Sequence, residues 1–185
     1  MKQTKSKVLV VWLIAILSVT AIGILIARPT EAKNDKAFIE EMIPHHEEAV
    51  ASSKLILTVA SEPQVRQIAE AVIAAQEKEI SQMNSWFQAW FGASYKTTGV
   101  YKQMMSPIDG LSVREAEAQY TSEMINHHEH AIFMAKELLK TTERSELKLL
   151  ADDIIRSQES EVNELKALLN GKYGQTPEVM DHSSH

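Results

Sequence analysis

The chain has 185 residues, a formal net charge of −6 and no cysteine. The lack of cysteine excludes disulfides, zinc–thiolate sites and thiol catalysis. The negative balance, with no basic run, argues against nucleic acid as a partner. Helix-forming residues are frequent while glycine and proline are scarce, so the composition favours an all-α domain. Any soft metal ligand must therefore be methionine, of which there are eight.

The N-terminal segment, residues 1–32, carries three lysines and then an unbroken apolar run over 8–27. At a rise of 1.5 Å per residue this run spans about 30 Å, the thickness of a bilayer core, which favours a membrane anchor over a cleaved signal peptide. Under both interpretations the lysines stay in the cytoplasm and the rest of the chain is exported. We therefore expect a periplasmic or extracytoplasmic domain held at the cytoplasmic membrane.

Two helical patterns come next in the chain. The first begins at Asn34-Asp35, which we predict to be its N-cap, and it contains Pro44, where we expect a kink or a late helix start. The second begins at Pro63, because proline is favoured at the first helical position. A long connector follows, in which the helical period is lost.

Two further helical patterns follow the connector. Ser112 and Glu115 have the spacing of a capping box, so the third helix starts there. The fourth is expected to open at residues 141–143 and to end at Gly171 and Gly174. Residues 173–185 have no apolar period and form a flexible tail that contains methionine and histidine.

A gapless internal repeat relates the two halves of the domain. Met42-Ile-Pro-His-His46 returns 82 residues later as Met124-Ile-Asn-His-His128, and the similarity continues for about fifty residues. A duplicated helical hairpin explains this repeat. Two hairpins, at about 35–91 and 112–170, that must bury their apolar faces predict a four-helix bundle over 33–172.

The repeated motif indicates metal binding. At 100° per residue, Met124, His127 and His128 fall within a stripe of roughly 120° that should face inward, and the first repeat has the same geometry. Packing alone, with methionine as core filler, is the alternative. Buried imidazoles without a metal or an acid partner cost about 1–3 kcal/mol per unsatisfied group, so a motif present in both halves favours a metal.

The ligand types select the metal. Thioether and imidazole without thiolate suit copper, particularly Cu(I), and its mimic Ag(I). A di-iron bundle would need Glu-x-x-His motifs, and the chain contains none. This leaves Glu77 and Glu159 as the candidates for inward carboxylates. Glu48 and His130 lie at corresponding places on the flank of the stripe, where solvation and ligation are both open.

The segments M-I-P-H-H-E-E-A-V and M-I-N-H-H-E-H-A-I-F-M-A-K, each followed by Q-x-x-E-[IV], resemble domain-of-unknown-function family 305 over nearly all of residues 35–170. The resemblance implies a ferritin-like four-helix bundle that binds copper outside the cytoplasm. The positions that match the family's ligands are Met42, His45, His46, Met83, Met124, His127, His128 and Met134. Ser52 and Leu165 replace one methionine in each repeat, so the repeats form either unequal sites or one shared site.

We therefore expect a copper-binding protein for sequestration or delivery in copper tolerance, with copper ions and an unidentified transfer protein as partners. No catalytic constellation is present, and we do not expect an enzyme. The alternatives are a ferritin-like metal oxidase and a structural or partner-binding bundle without metal. The tail residues Met180, His182 and His185 are either a copper-collecting arm or an ordinary polar terminus.

Overall fold

The computed structural model describes residues 29–96 and 101–177. The predicted anchor at 8–27 and the tail histidines lie outside these residues. The described part contains α1 (Pro29–Leu57), α2 (Pro63–Phe91), α3 (Val113–Leu139), α4 (Ser145–Leu168) and a π-helical turn at Leu169–Tyr173, and it contains no strand. This confirms the predicted all-α four-helix bundle. Among the described helices, none is long and apolar enough to cross a membrane.

The predicted starts of α2 and α3 are confirmed. Pro63 is the first residue of α2, and the Ser112 side chain accepts from the backbone of Glu115 in a complete capping box. The start of α1 was predicted too late. Its helix begins at Pro29 and continues through Pro44 without a break, so the expected late start is wrong.

Two details at the start of α4 explain other differences from the prediction. Thr142 donates its backbone N–H to Leu138 at the end of α3, and its hydroxyl accepts from the backbone of Arg144. This turn delays α4 to Ser145. Asp35, the predicted N-cap, instead lies buried inside α1 and accepts from the Arg144 guanidinium at 3.1 Å. It therefore ties α1 to the beginning of α4.

The two hairpins pack through α1 and α3, which run antiparallel. Ser53, near the end of α1, hydrogen-bonds Tyr120, near the beginning of α3, at 2.8 Å. At the opposite end, Phe38 of α1 shares a core cluster with Leu138 of α3. The connector from α2 to α3 must therefore run the length of the bundle, as in ferritin-like topologies.

Polar contacts repeat with the displacement of 82 residues found in the sequence. A histidine–glutamate contact and a lysine–glutamate contact recur at corresponding positions between the two helices of each hairpin. The matched pairs are His46–Glu79 with His128–Glu161, and Lys54–Glu77 with Lys136–Glu159. Because both hairpins reproduce the same contacts, the duplication extends to the three-dimensional structure.

The core separates into two halves along the bundle axis. One cluster includes Met42, Met83 and Met134, and we call it the thioether-rich half. The other includes Met124 and Leu165. Antiparallel packing produces this split, because it brings the later turns of α3 beside the early turns of α1. The Ser52 and Leu165 replacements thus both fall in the second half.

Candidate metal centre

The four motif histidines are fully buried and face two different directions. His46 and His128 point to the partner helix of their own hairpin, whereas His45 and His127 meet between the hairpins. Consecutive residues on a helix are separated by 100°, so the two members of each pair cannot face the same neighbour. Each His-His dipeptide therefore serves two separate places in the bundle.

The outer histidines, His46 and His128, make equivalent contacts with carboxylates. Nε2 of His46 lies 2.7 Å from Oε2 of Glu79, and Nε2 of His128 lies 2.7 Å from Oε2 of Glu161. Nδ1 of both rings is buried without a hydrogen-bond partner. The Glu79 and Glu161 side chains are only 13% and 19% exposed. Each hairpin thus holds an imidazole at one nitrogen and leaves the other nitrogen unsatisfied in the core.

The inner histidines, His45 and His127, lie against one another between α1 and α3, with their ring planes tilted by 38°. The ring centroids of His45 and His127 are 3.7 Å apart, and the His130 ring lies 5.3 Å from that of His45. Desolvation lowers the pKa of His127 to about 4. Desolvation and the neighbouring His127 lower the pKa of His45 well below its ordinary value. Both rings are therefore neutral at physiological pH and present unprotonated nitrogen in the core.

Glu48 connects this inner pair to the connector. Its carboxylate accepts from the Tyr101 hydroxyl at 2.7 Å and from the backbone N–H groups of Met104 and Met105 at 2.9 and 3.0 Å. It also lies 3.3 Å from Nε2 of His127. Burial alone raises the pKa of Glu48, but the nearby His127 ring and hydrogen bonds from Tyr101 and the backbone outweigh it and lower the pKa overall. The Glu48 side chain is therefore only 8% exposed and is held by the connector, while Glu48 and His130 as whole residues are half-buried.

The thioethers are distributed unevenly beside the histidines. Met42 precedes His46 by one helical turn, and Met83 follows Glu79 by one turn on the facing helix. Both methionines are fully buried, and Met134 belongs to the same cluster. Around His128 the corresponding positions contain Met124, Leu165 and Ser52. Three of the four predicted thioether ligands therefore lie in the thioether-rich half, whereas the second half has Met124, with Met105 packed against its core.

A groove between α2 and α4 leads to the outer histidine of the thioether-rich half. Its volume is about 350 Å³, and its lining includes Glu79, Trp86 and Leu149. Because Glu79 both lines the groove and contacts His46, its carboxylate connects the buried imidazole with solvent. An ion in the groove could contact the Glu79 carboxylate, which itself contacts the His46 ring.

The inward carboxylates were predicted at the wrong positions. Glu77 and Glu159 are about half exposed and pair with Lys54 and Lys136 on the surface. The carboxylates that face inward are Glu79 and its counterpart Glu161. The sequence carried the signal: Glu79 follows the buried Gln76 by three residues and precedes Met83 by four, a spacing that places all three on one face.

All eight predicted ligand positions lie in the core, but they do not form one compact group of nitrogen and oxygen ligands. In residues 29–96 and 101–177, no group of three or more His, Asp or Glu side chains could hold a metal ion. The other buried donors in the predicted set are thioethers, which favour soft monovalent ions. The predicted ligand set therefore fits Cu(I) chemistry better than that of a hard cation.

The geometry can be compared with proteins of known structure. CopM in its Cu(I)-bound form is 34% identical, with a TM-score of 0.70, and the match covers 76% of this chain and 98% of that one. CopM in an Ag-bound form is 33% identical with a TM-score of 0.67, over 76% and 98% of the two chains. These likenesses extend over essentially the whole of CopM.

More distant relatives share the fold or part of the sequence. A DUF305 protein from Streptomyces coelicolor, described as a secreted protein, is 24% identical with a TM-score of 0.70, over 80% of this chain and 98% of its own, which shows the fold alone. Uncharacterized protein L153 of Acanthamoeba polyphaga mimivirus is 35% identical over 82 residues, 44% of this chain and about half (51%) of the relative. The sequence profile described as domain of unknown function (DUF305) matches residues 35–169. The chain belongs to the DUF305 family.

Proposed function

We propose that this bundle binds copper as Cu(I), with Ag(I) as a mimic, and sequesters or delivers it without catalysing a reaction. The observation that carries the proposal is the buried, unsatisfied Nδ1 of His46, which lies one helical turn after Met42; Met42 shares a core cluster with Met83 and Met134. A buried polar atom without a partner costs about 1–3 kcal/mol, and a bound soft ion offsets that cost. Thioether and imidazole are the donors that Cu(I) prefers.

The comparison with CopM supports the choice of metal. CopM has been solved with Cu(I), with Cu(II) and with Ag, and it shares about a third of its residues with this chain. The proposal for the present chain assigns the eight predicted methionines and histidines as the source of ligands. Within that set, the thioether-rich half is the preferred position for the monovalent ion.

The proposal includes a location outside the cytoplasm. The apolar run at 8–27, preceded by lysines, would anchor the domain to the cytoplasmic membrane with the bundle on the far side. A family relative carries the description of a secreted protein. A domain without cysteine suits an oxidising compartment, where thiols would be consumed.

Titration of the full-length chain with Cu(I) under reducing conditions tests the proposal. Stoichiometry is measured by competition with a chromogenic chelator, in mild detergent, and Ag(I) serves as a redox-silent second probe. At a free ion concentration of about 100 times Kd, a ligand specific for the folded state adds about 2.7 kcal/mol to stability. We therefore expect a clear rise in melting temperature with either ion.

Two variants make this test specific. Replacing His45, His46, His127 and His128 by alanine should abolish the tight binding, and unchanged stoichiometry in that variant would disprove the assignment. A chain replaced at Lys54 and Lys136, which pair on the surface, controls for general effects of substitution. Turnover of a bound redox metal, such as sustained oxidation of Cu(I) by oxygen, would instead favour the oxidase alternative.

A further inference from the structure

The two outer histidines have a fixed pattern of hydrogen bonding in the core. A carboxylate has no proton to donate, so the short contacts of His46 with Glu79 and of His128 with Glu161 require a proton on Nε2. A second proton on Nδ1 would have no acceptor, because that atom is buried without a partner in both rings. Nδ1 therefore carries a lone pair that faces the core.

We propose that Glu79 and Glu161 are positioning residues that fix the Nε2–H tautomer of His46 and His128, so that Nδ1 is the atom that coordinates the metal. This inference rests on the proposed copper binding and specifies its geometry. Carboxylates that hold the second nitrogen of a ligating histidine orient the ring and raise the basicity of the ligand. Here the same arrangement occurs in both hairpins, with the same 2.7 Å distance.

The neighbouring glutamates show that this role depends on position. Glu77 lies two residues before Glu79 on the same helix, but it is half exposed and pairs with Lys54. Glu159 has the corresponding place beside Glu161. These surface glutamates carry the same charge and lie two residues from Glu79 and Glu161 along the chain, so they are matched controls for the positioning pair.

The first arm of the experiment uses the metal-free, full-length protein labelled with 15N in mild detergent. Two-bond 1H–15N correlation spectra identify the protonated nitrogen of each histidine ring. We expect Nε2–H for both His46 and His128. In Glu79→Ala, the His46 ring should lose this fixed tautomer while His128 keeps it. In Glu79→Gln, the amide oxygen still accepts, so the tautomer should be retained.

The second arm adds Ag(I), which is redox-silent. The Nδ1 resonances of His46 and His128 should shift, with splitting by the silver nucleus, while both Nε2 atoms remain protonated. Loss of an outer-shell partner costs about 10- to 100-fold in metal affinity. We expect a loss in this range at His46 for Glu79→Ala, a smaller loss for Glu79→Gln, and none for Glu77→Ala.

The outcomes separate the positioning role from copper binding itself. An Nδ1–H tautomer in the metal-free protein, or a silver shift at Nε2, overturns the inference while metal binding stands. If silver moves no histidine resonance although the Nε2–H tautomers are present, the proposed function and the coordinating role of Nδ1 both fail. A Glu77→Ala variant that loses as much affinity as Glu79→Ala reduces the effect to surface charge and also overturns the inference.

Discussion

The imidazole rings of His45 and His127 lie with their centroids 3.7 Å apart and their planes tilted by 38°, at the place where the two hairpins meet. They occupy equivalent positions in the two repeats, and both are fully buried. Each hairpin thus contributes one ring to the contact between the two hairpins. This contact is stable only while both rings are neutral, because two adjacent buried positive charges would repel each other.

Because of the His45–His127 pair, the free energy of unfolding should decrease in mild acid. The folded-state pKa of His127 is lowered to about 4, whereas an unfolded histidine titrates near 6.5, so the unfolded state binds more protons between these values. The stability that the neutral His127 ring contributes is complete above pH 6.5 and is lost as the pH falls towards 4. Each pKa unit corresponds to about 1.4 kcal/mol, so His127 alone accounts for about 3 kcal/mol.

Denaturant unfolding of the metal-free protein at several pH values between 7.5 and 4.5 measures this loss. In the variant His45→Asn/His127→Asn the slope of stability against pH should be distinctly flatter. Glu48, whose folded pKa is also lowered, contributes stability that disappears only below its unfolded pKa of about 4.3, outside most of this window. Equal slopes in the two proteins would contradict the assignment to the inner histidines.

Exchanging the residues at positions 83 and 165 should make the site at His128 bind copper more tightly than the site at His46. Met83→Leu removes a thioether from the thioether-rich half, and Leu165→Met adds one at the equivalent position of the second half. We expect the first change to weaken Ag(I) and Cu(I) binding at His46 by more than about tenfold. The loss of a residue that only supports a ligand already costs about that much, and Met83 is a predicted ligand itself. The second should strengthen binding at His128.

Both substitutions exchange buried side chains of similar volume, so each should cost less than about 1.5 kcal/mol of stability. Competition titration of the wild type, both single variants and the double variant measures the affinities. The double variant should bind more tightly at His128 than at His46. If the wild-type order of affinities persists in that variant, the thioethers do not determine which half is preferred.

Glu48 should hold the connector onto the bundle. Glu48→Ala removes the acceptor for the Tyr101 hydroxyl and for two backbone N–H groups, and hydrogen bonds to a charged group contribute about 1.5–3 kcal/mol. We expect a destabilisation of about 2–4 kcal/mol and faster proteolysis within the connector. Glu47→Ala, at the exposed neighbouring position, should be within about 0.5 kcal/mol of the wild type.

The hydrogen bond between Ser53 and Tyr120 should show strong non-additivity. The corresponding positions of the other repeat contain Ala135 and Phe38, an apolar pair in the same buried setting. Replacing one partner leaves the other hydroxyl unsatisfied and should cost about 1–3 kcal/mol, whereas replacing both can be nearly neutral.

A double-mutant cycle with Ser53→Ala, Tyr120→Phe and the combined variant measures this coupling by equilibrium unfolding. We expect the combined variant to be more stable than at least one of the single variants, with a coupling energy of about 1 kcal/mol or more. Additive effects of the two substitutions would mean that the hydroxyl groups find other partners in the core.

Several features of this protein were predictable from local patterns. Helix periodicity was enough to count the helices, and the proline at 63 and the capping box at Ser112 defined the starts of α2 and α3. The 82-residue repeat then required two similar hairpins, and two amphipathic hairpins bury their apolar faces by forming a bundle. These signals depend on residues within one or two helical turns of each other, so the sequence alone determined the helices, the duplication and the inward motif.

Tertiary structure decided what each inward residue faces. Helix geometry turns His45 and His46 to different directions, but only the packing of the helices brings His45 against His127 and His46 against Glu79. The same packing gathers Met42, Met83 and Met134 in one half and makes the repeats unequal. These relations join residues up to about a hundred positions apart, and they depend on the rotation and direction of whole helices, which no local pattern specifies.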